Sequence, residues 1–179
     1  MSKPRQGRTA FVTVGTTRFD ALMQAMTNEL VLQTLQDFGF STLILQHGKG
    51  PAPTLPNNGA AQLHVEMYKF KPSLAADYQR ADWVIGHAGA GTVSETLAAD
   101  DSSKKRRRLL IVVINTALMH NHQTELAYAM RNRNYLYVVE NPRDLLQTST
   151  WKAVQEFEPT PFPGGDVMDF PRLLTAFFQ

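Results

Sequence analysis

Short apolar runs alternate with amphipathic stretches along most of the chain. Thr9 to Val14 is β-branched and aromatic and stops at Gly15, the pattern of a buried strand. Beyond that turn, Leu22, Met26, Leu30 and Leu35 recur on roughly one helical face. One helix is therefore predicted from Asp20, as its cap, to about Phe38, with Gly39 ending it. Thr42 to Gln46 reads as a second strand, and residues 47–60, rich in Gly and Pro, as a loop. Leu63 to Met67 is a third strand, Pro72 opens a helix to Arg80, and Asp82 to Gly86 is a fourth strand. A helix is predicted from Gly91 to about Ala99, and the most apolar strand from Leu109 to Ile114. A helix from about Asn121 to Arg131 and a strand over Tyr135 to Val139 follow. Asn141 then caps a helix with Pro142 at its first position, running to about Gln155.

Strands alternating with helices imply crossover connections, and strands that are apolar throughout imply cover on both faces. The fold class is α/β, a Rossmann-like and mostly parallel sheet with helices on both sides. That unit is assigned to residues 1–157. Residues 158–179 differ: a Pro/Gly linker leads to a short helix capped by Asp169. Phe170, Leu173, Leu174, Phe177 and Phe178 form one apolar stripe on it. The stripe packs either on its own domain or on another subunit.

Composition narrows the classes. A chain of 179 residues suits one compact domain. It has no cysteine, which excludes disulfide scaffolds, thiolate metal sites and cysteine nucleophiles. The formal charge is +2, but Lys104-Lys105-Arg106-Arg107-Arg108 carries the excess, and without that run acids outnumber bases. Such a balance does not suit a nucleic-acid coat. No run is long enough to span a bilayer. The basic start lacks the apolar stretch of a signal peptide, so a cytosolic protein is expected.

The chemistry concentrates in Asp82 to Glu95, D-W-V-I-G-H-A-G-A-G-T-V-S-E. An apolar strand runs into the small-residue loop His87-Ala88-Gly89-Ala90-Gly91, which feeds a helix. Glycines there let backbone N–H groups approach a ligand, and a helix N-terminus attracts a diphosphate. In open α/β sheets, ligands bind at such strand ends. The spacing indicates an anion or nucleotide site without saying which nucleotide. Gly48-Lys49-Gly50 lacks the spacing of a Walker loop, and G-x-G-x-x-G is absent. His120 and His122 near Glu125 are too weak a pattern to assign a metal, and no cofactor is assigned.

H-A-G-A-G-T-V-S-E resembles the donor-site motif of GT-B glycosyltransferases that use UDP-GlcNAc. F-V-T-V-G-T-T-R-F-D at 11–20, Tyr68-Lys69-Phe70 leading to Pro72-Ser73-Leu74, and the I-V-V-I-N…N-H-Q…E-L-A pattern within 109–127 add to it. Together they resemble the catalytic subunits of the eukaryotic N-acetylglucosaminyltransferase that extends GlcNAc-diphospho-dolichol. The resemblance covers roughly residues 9–156. Gly86 stands where that family commonly has Ser, and residues 100–108 look inserted.

The resemblance implies the C-terminal, donor-binding half of a GT-B fold. It places Gly89, Ala90, Gly91 and Thr92 on the diphosphate, with Gly15, Thr16 and Thr17 approaching from the first turn. It places Glu95 on the ribose hydroxyls, Asn121 and Gln123 on the sugar, Phe70 near the uracil, and His87 beside the donor. It implies inverting transfer from UDP-GlcNAc to a dolichol-linked acceptor, without a metal. The general base and the acceptor site would belong to a membrane-anchored partner subunit, docked on the Phe170–Phe178 stripe at the cytosolic face of the endoplasmic reticulum. The other readings are a nucleotide-sugar-binding module without catalysis, and another nucleotide-dependent Rossmann enzyme.

Overall fold

A computed structural model describes residues 7–57, 62–98, 108–115 and 121–162, apart from the side chains of 98, 121 and 122. Six strands form one sheet: β1 (Arg8–Thr13), β2 (Phe40–Gln46), β3 (His64–Tyr68), β4 (Trp83–Gly86), β5 (Leu109–Val113) and β6 (Tyr137–Val139). Their order is β3-β2-β1-β4-β5-β6, and every neighbouring pair is parallel. The helices are α1 (Asp20–Met26), α2 (Glu29–Asp37), α3 (Ala75–Arg80), α4 (Ala90–Ala98), α5 (Asn121–Asn132) and α6 (Thr148–Glu156), with a 3-10 turn at Pro142–Leu146. This is the expected α/β, Rossmann-like architecture.

The period of two within each strand divides the apolar residues between two layers. Ala10, Val12, Leu43, Leu45, Trp83, Ile85, Ile111 and Val113 face one core, shared with Leu22, Met26, Leu35 and Trp151. Phe11, Ile44, Val84, Leu110 and Val112 face the other, with Tyr78, Val93, Leu126 and Met130. Trp83 and Trp151 stack with ring centroids 5.9 Å apart. The Trp151 indole N–H donates to the Leu145 carbonyl at 2.6 Å, which joins α6 to the 3-10 turn.

Several boundaries depart from the periodic reading. The helix predicted from Asp20 to Phe38 is two helices. The Thr27 hydroxyl donates back to the Met23 carbonyl, and Asn28 starts α2 by accepting from the Leu30 N–H. Such local side-chain bonds compete with a continuous helix. Asp20 is not a cap: Phe19 holds that position, and the Asp20 carboxylate pairs with Arg18 at 2.5 Å. The helix predicted from Pro72 begins at Ala75, whose N–H donates to Ser73 Oγ. Asn141 does cap by accepting from the Arg143 N–H, but what it starts is the 3-10 turn. The part of the Pro/Gly segment that is described lies against the domain. Asn134 donates to the Glu158 carbonyl and accepts from the Thr160 N–H, and Phe162 packs edge-on against Tyr135.

Candidate functional site

The strand order reverses between β1 and β4, and the loops leaving those two strands diverge there. In open parallel sheets a crevice forms at this point, on the carboxyl side. A cavity of about 330 Å³ lies there, lined by Gly15, Thr16, Thr17, Gln46, Phe70, Lys71, Leu74, Tyr78, His87, Gly89, Gly91, Thr92 and Glu95. Nine of the residues singled out in the sequence are thus brought together. Ala90 sits between two lining glycines at the start of α4, exposed. Gln123 lies in the first turn of α5 and is not among the lining residues. The Asn121 side chain, the Phe170–Phe178 stripe and the 104–107 part of the basic run fall outside the described residues.

One wall is the turn after β1. Gly15 has φ +58°, a left-handed conformation that a side chain resists. The Thr17 N–H and hydroxyl both donate to the Val14 carbonyl, at 3.1 and 2.8 Å. Thr17 therefore spends its hydroxyl proton inside the turn, whereas Thr16 is exposed with no such bond among the described residues.

The opposite wall is the N-terminus of α4. Its first N–H groups have no intrahelical carbonyl to bond, and the helix dipole adds partial positive charge. A Cβ at Gly91 would meet nothing within 4 Å, so the backbone there is open to the cavity. A Cβ at Gly89 would stand 2.5 Å from His87 Nε2, so the small residue makes room for the imidazole. His87 is buried, which holds its pKa below the ordinary histidine range, with the Thr13 carbonyl pulling the other way. It is a neutral ring at pH 7. Thr92 is buried, in the first turn of α4, where its backbone N–H is placed to face an anion. Burial pushes the Tyr78 phenol up to about 12, helped by the nearby Glu95 charge and opposed by Thr92 and Thr13. It stays protonated.

Gly86, where Ser is common in the resembling family, has a local reason. A Cβ there would lie 2.8 Å from the Thr13 carbonyl oxygen and 3.2 Å from Thr92 Cγ2. Strands β1 and β4 approach too closely at this rung for a side chain.

Glu95, one turn into α4, lines the cavity with no salt bridge or hydrogen bond among the described residues. Partial burial raises its pKa. A carboxylate held so, with four lone-pair directions open, is suited to accept from a pair of hydroxyls. The third wall is the segment after β3. Phe70 presents a half-exposed ring, and Lys71 is the cation of the lining. Its ammonium bonds Asp77 at 2.8 Å and lies 3.9 Å from the centre of the Tyr68 ring. The Tyr68 hydroxyl donates to the same Asp77 carboxylate at 2.5 Å, and burial together with that carboxylate raises the phenol's pKa.

The sequence reading assigned no role at the site to four lining residues, Gln46, Lys71, Leu74 and Tyr78, or to Asp77 behind them. Gln46 is 1% exposed and forms the cavity floor, and Asp77 is 2% exposed and anchors Lys71. A glutamine ending a buried strand was a visible signal; Asp77 gave none without its partners.

A larger cleft of about 840 Å³ is lined by Arg18, Asp20, Asn115, Asn141 and Arg143 among others. It has no glycine-opened helix N-terminus, and its Arg18 and Asp20 charges are paired with each other. It is the weaker candidate for an anion.

Residues 9–156 match the glycosyltransferase family 28 C-terminal domain. The chain is 40% identical over 127 residues to the UDP-N-acetylglucosamine transferase subunit ALG13 of Homo sapiens. That alignment takes in 71% of this chain and 10% of the human protein. The subunit of the same name from Yarrowia lipolytica is 30% identical over 127 residues, with 70% of this chain and 61% of that protein aligned. The chain thus spans about a tenth of the human relative and under two thirds of the Yarrowia one. Among solved structures, an NMR structure of ALG13 superimposes with a TM-score of 0.67 at 23% identity, covering 97% of this chain and 98% of that one. Acinetobacter baumannii MurG gives 0.60 at 18% identity, covering 98% of this chain and 51% of that one. At these identities the structural likeness speaks to the fold.

Proposed function

The chain belongs to the glycosyltransferase family 28 C-terminal domain family, and from that premise we propose that it is the UDP-GlcNAc-binding half of a two-part N-acetylglucosaminyltransferase. The observation that carries the reading is the open N-terminus of α4. It faces the Gly15-Thr16-Thr17 turn across one cavity, with Glu95, unpaired among the described residues, a turn further along. That arrangement suits a nucleoside diphosphate. Backbone N–H groups of Gly91 and Thr92 and the Thr16 hydroxyl take the diphosphate, Glu95 takes the ribose hydroxyls, and Phe70 offers a face to the base. The printed names of the human and Yarrowia relatives favour UDP-GlcNAc as the donor.

In the proposed reaction the C4 hydroxyl of GlcNAc-diphospho-dolichol attacks the anomeric carbon of the donor and inverts it. The bond from that carbon to the diphosphate oxygen breaks, and UDP leaves with the electron pair. Charge grows on the diphosphate as it departs, so preorganised donors at α4 act where they matter; losing one costs roughly 3 kcal/mol in comparable sites. The acceptor proton passes to a base on the other half of the enzyme.

The relatives are named as subunits, which favours a second chain that completes the enzyme. In this reading that chain is membrane-anchored, holds the acceptor, and keeps the complex at the cytosolic face of the endoplasmic reticulum. Among the described residues no helix is long and apolar enough to cross a membrane. The Phe170–Phe178 stripe serves as the docking surface, with Phe170, Leu173, Leu174, Phe177 and Phe178 as its apolar contacts.

The test is transfer from UDP-GlcNAc to a GlcNAc-diphospho-dolichol-type acceptor, with and without the candidate membrane subunit. Transfer only with both supports the reading. UDP-GlcNAc binding without transfer, even with both, leaves a binding module instead. Truncation after Gly165 should abolish co-purification with the partner; a truncated chain that still associates and transfers contradicts the docking assignment.

A further inference from the structure

We infer that Gln46 is a positioning residue for the donor: its side-chain amide holds the Gly15 turn and the Phe70 segment at a fixed separation across the cavity. The inference rests on the reading of that cavity as a UDP-sugar site. Gln46 ends β2, which lies between β1 and β3, so it is placed to touch the loops leaving both neighbours. Its Oε1 accepts from the Thr13 hydroxyl at 2.6 Å and from the N–H groups of Val14 and Gly15 at 3.1 and 2.9 Å. Its Nε2 donates to the carbonyls of Gly15 and Lys69, each at 2.8 Å.

A buried amide is costly unless its bonds are made, and here both ends are fully used. An apolar side chain would fill the same volume in a sheet interior, so this polar floor needs a reason other than packing. The reason lies in what it joins. One side is the turn that faces the diphosphate. On the other, Lys69 is held through its carbonyl by Gln46, and Lys71 through its ammonium by Asp77. Phe70 is displayed between two tethered neighbours, its ring half exposed. Cutting the Lys69 tether frees the aromatic platform while leaving the sheet intact.

Gln46→Glu tests this, because a glutamate keeps the oxygen that accepts from Thr13, Val14 and Gly15 and loses the amide that donates to the Gly15 and Lys69 carbonyls. UDP binding to the full chain is measured by calorimetry for native, Gln46→Glu, Phe70→Ala and the double variant, with circular dichroism confirming each fold. Gln46→Leu, which removes all five bonds of the amide, serves as a second probe of the same position. Each single substitution should weaken UDP about tenfold, and the double variant little more than either, because both remove one platform. Unchanged affinity in Gln46→Glu, or a double loss near the product of the two, about a hundredfold, overturns the inference while the site reading stands. A native chain that does not bind UDP overturns both.

Discussion

The imidazole of His87 occupies the space that a side chain at Gly89 would need: a Cβ at 89 falls 2.5 Å from His87 Nε2. Two residues on, the opposite holds, and a Cβ at Gly91 meets nothing within 4 Å. The two glycines that flank the start of α4 are therefore small for different reasons, and their alanine variants should part company. Gly89→Ala displaces His87 and should lower both thermal stability and UDP affinity. Gly91→Ala should hold or gain stability, by up to about 0.5–1 kcal/mol from lost backbone freedom in the unfolded chain. It should still weaken UDP, because its methyl stands where the diphosphate approaches. Paired melting and calorimetry on the two variants check this.

Gly86 offers a sharper steric test. Its nearest neighbour is the Thr13 carbonyl oxygen, backbone of the adjacent strand, which no rotamer change can move. Gly86→Ser should destabilise the chain by about 1–3 kcal/mol in urea unfolding. An unchanged midpoint would mean that β1 and β4 part more easily than their register implies.

Glu95 links binding to pH. Its folded pKa is raised by burial above the ordinary value of 4.5, so the folded chain prefers the protonated acid more than the unfolded chain does. That contribution to stability is fully present below 4.5 and is lost as pH rises through the raised value. Glu95→Gln should accordingly be slightly more stable than native at pH 7, with the difference vanishing at low pH. Donor affinity moves oppositely. It should fall roughly 10- to 100-fold at pH 7, the loss of hydrogen bonds to a charged acceptor. Melting curves across pH 4–8, set beside calorimetry, separate the two effects.

His87 has the reverse sign. Its pKa is depressed by burial from 6.5, so its share of stability is present above 6.5 and is lost as pH falls through the folded value. Unfolding of the native chain should steepen with acid below pH 6.5, and His87→Gln should flatten that limb. Chemical denaturation at several pH values measures it.

The sheet was legible because its strands are apolar on both faces, as Leu109–Val113 shows, and the glycine loop because small residues followed such a strand. The break between α1 and α2 was hidden by apolar residues that keep their period straight through Thr27 and Asn28. The capping bond of Asn28 was a local signal, but periodicity outweighed it. A glutamine ending a buried strand was a visible oddity, but the role of Gln46 was not, because its amide donates to carbonyls 31 and 23 residues away that only the parallel sheet brings together. Asp77 gave no signal apart from its partners Tyr68 and Lys71.

In the proposed function a UDP-sugar lies at the reversal between β1 and β4. Titrating the isotope-labelled full chain with UDP-GlcNAc and following its amide resonances tests this most directly. The amides of Gly15, Thr16, Gly91 and Thr92 should shift first and furthest. Shifts gathered instead around Arg18, Asn115 and Arg143, or none at saturating donor, would contradict it.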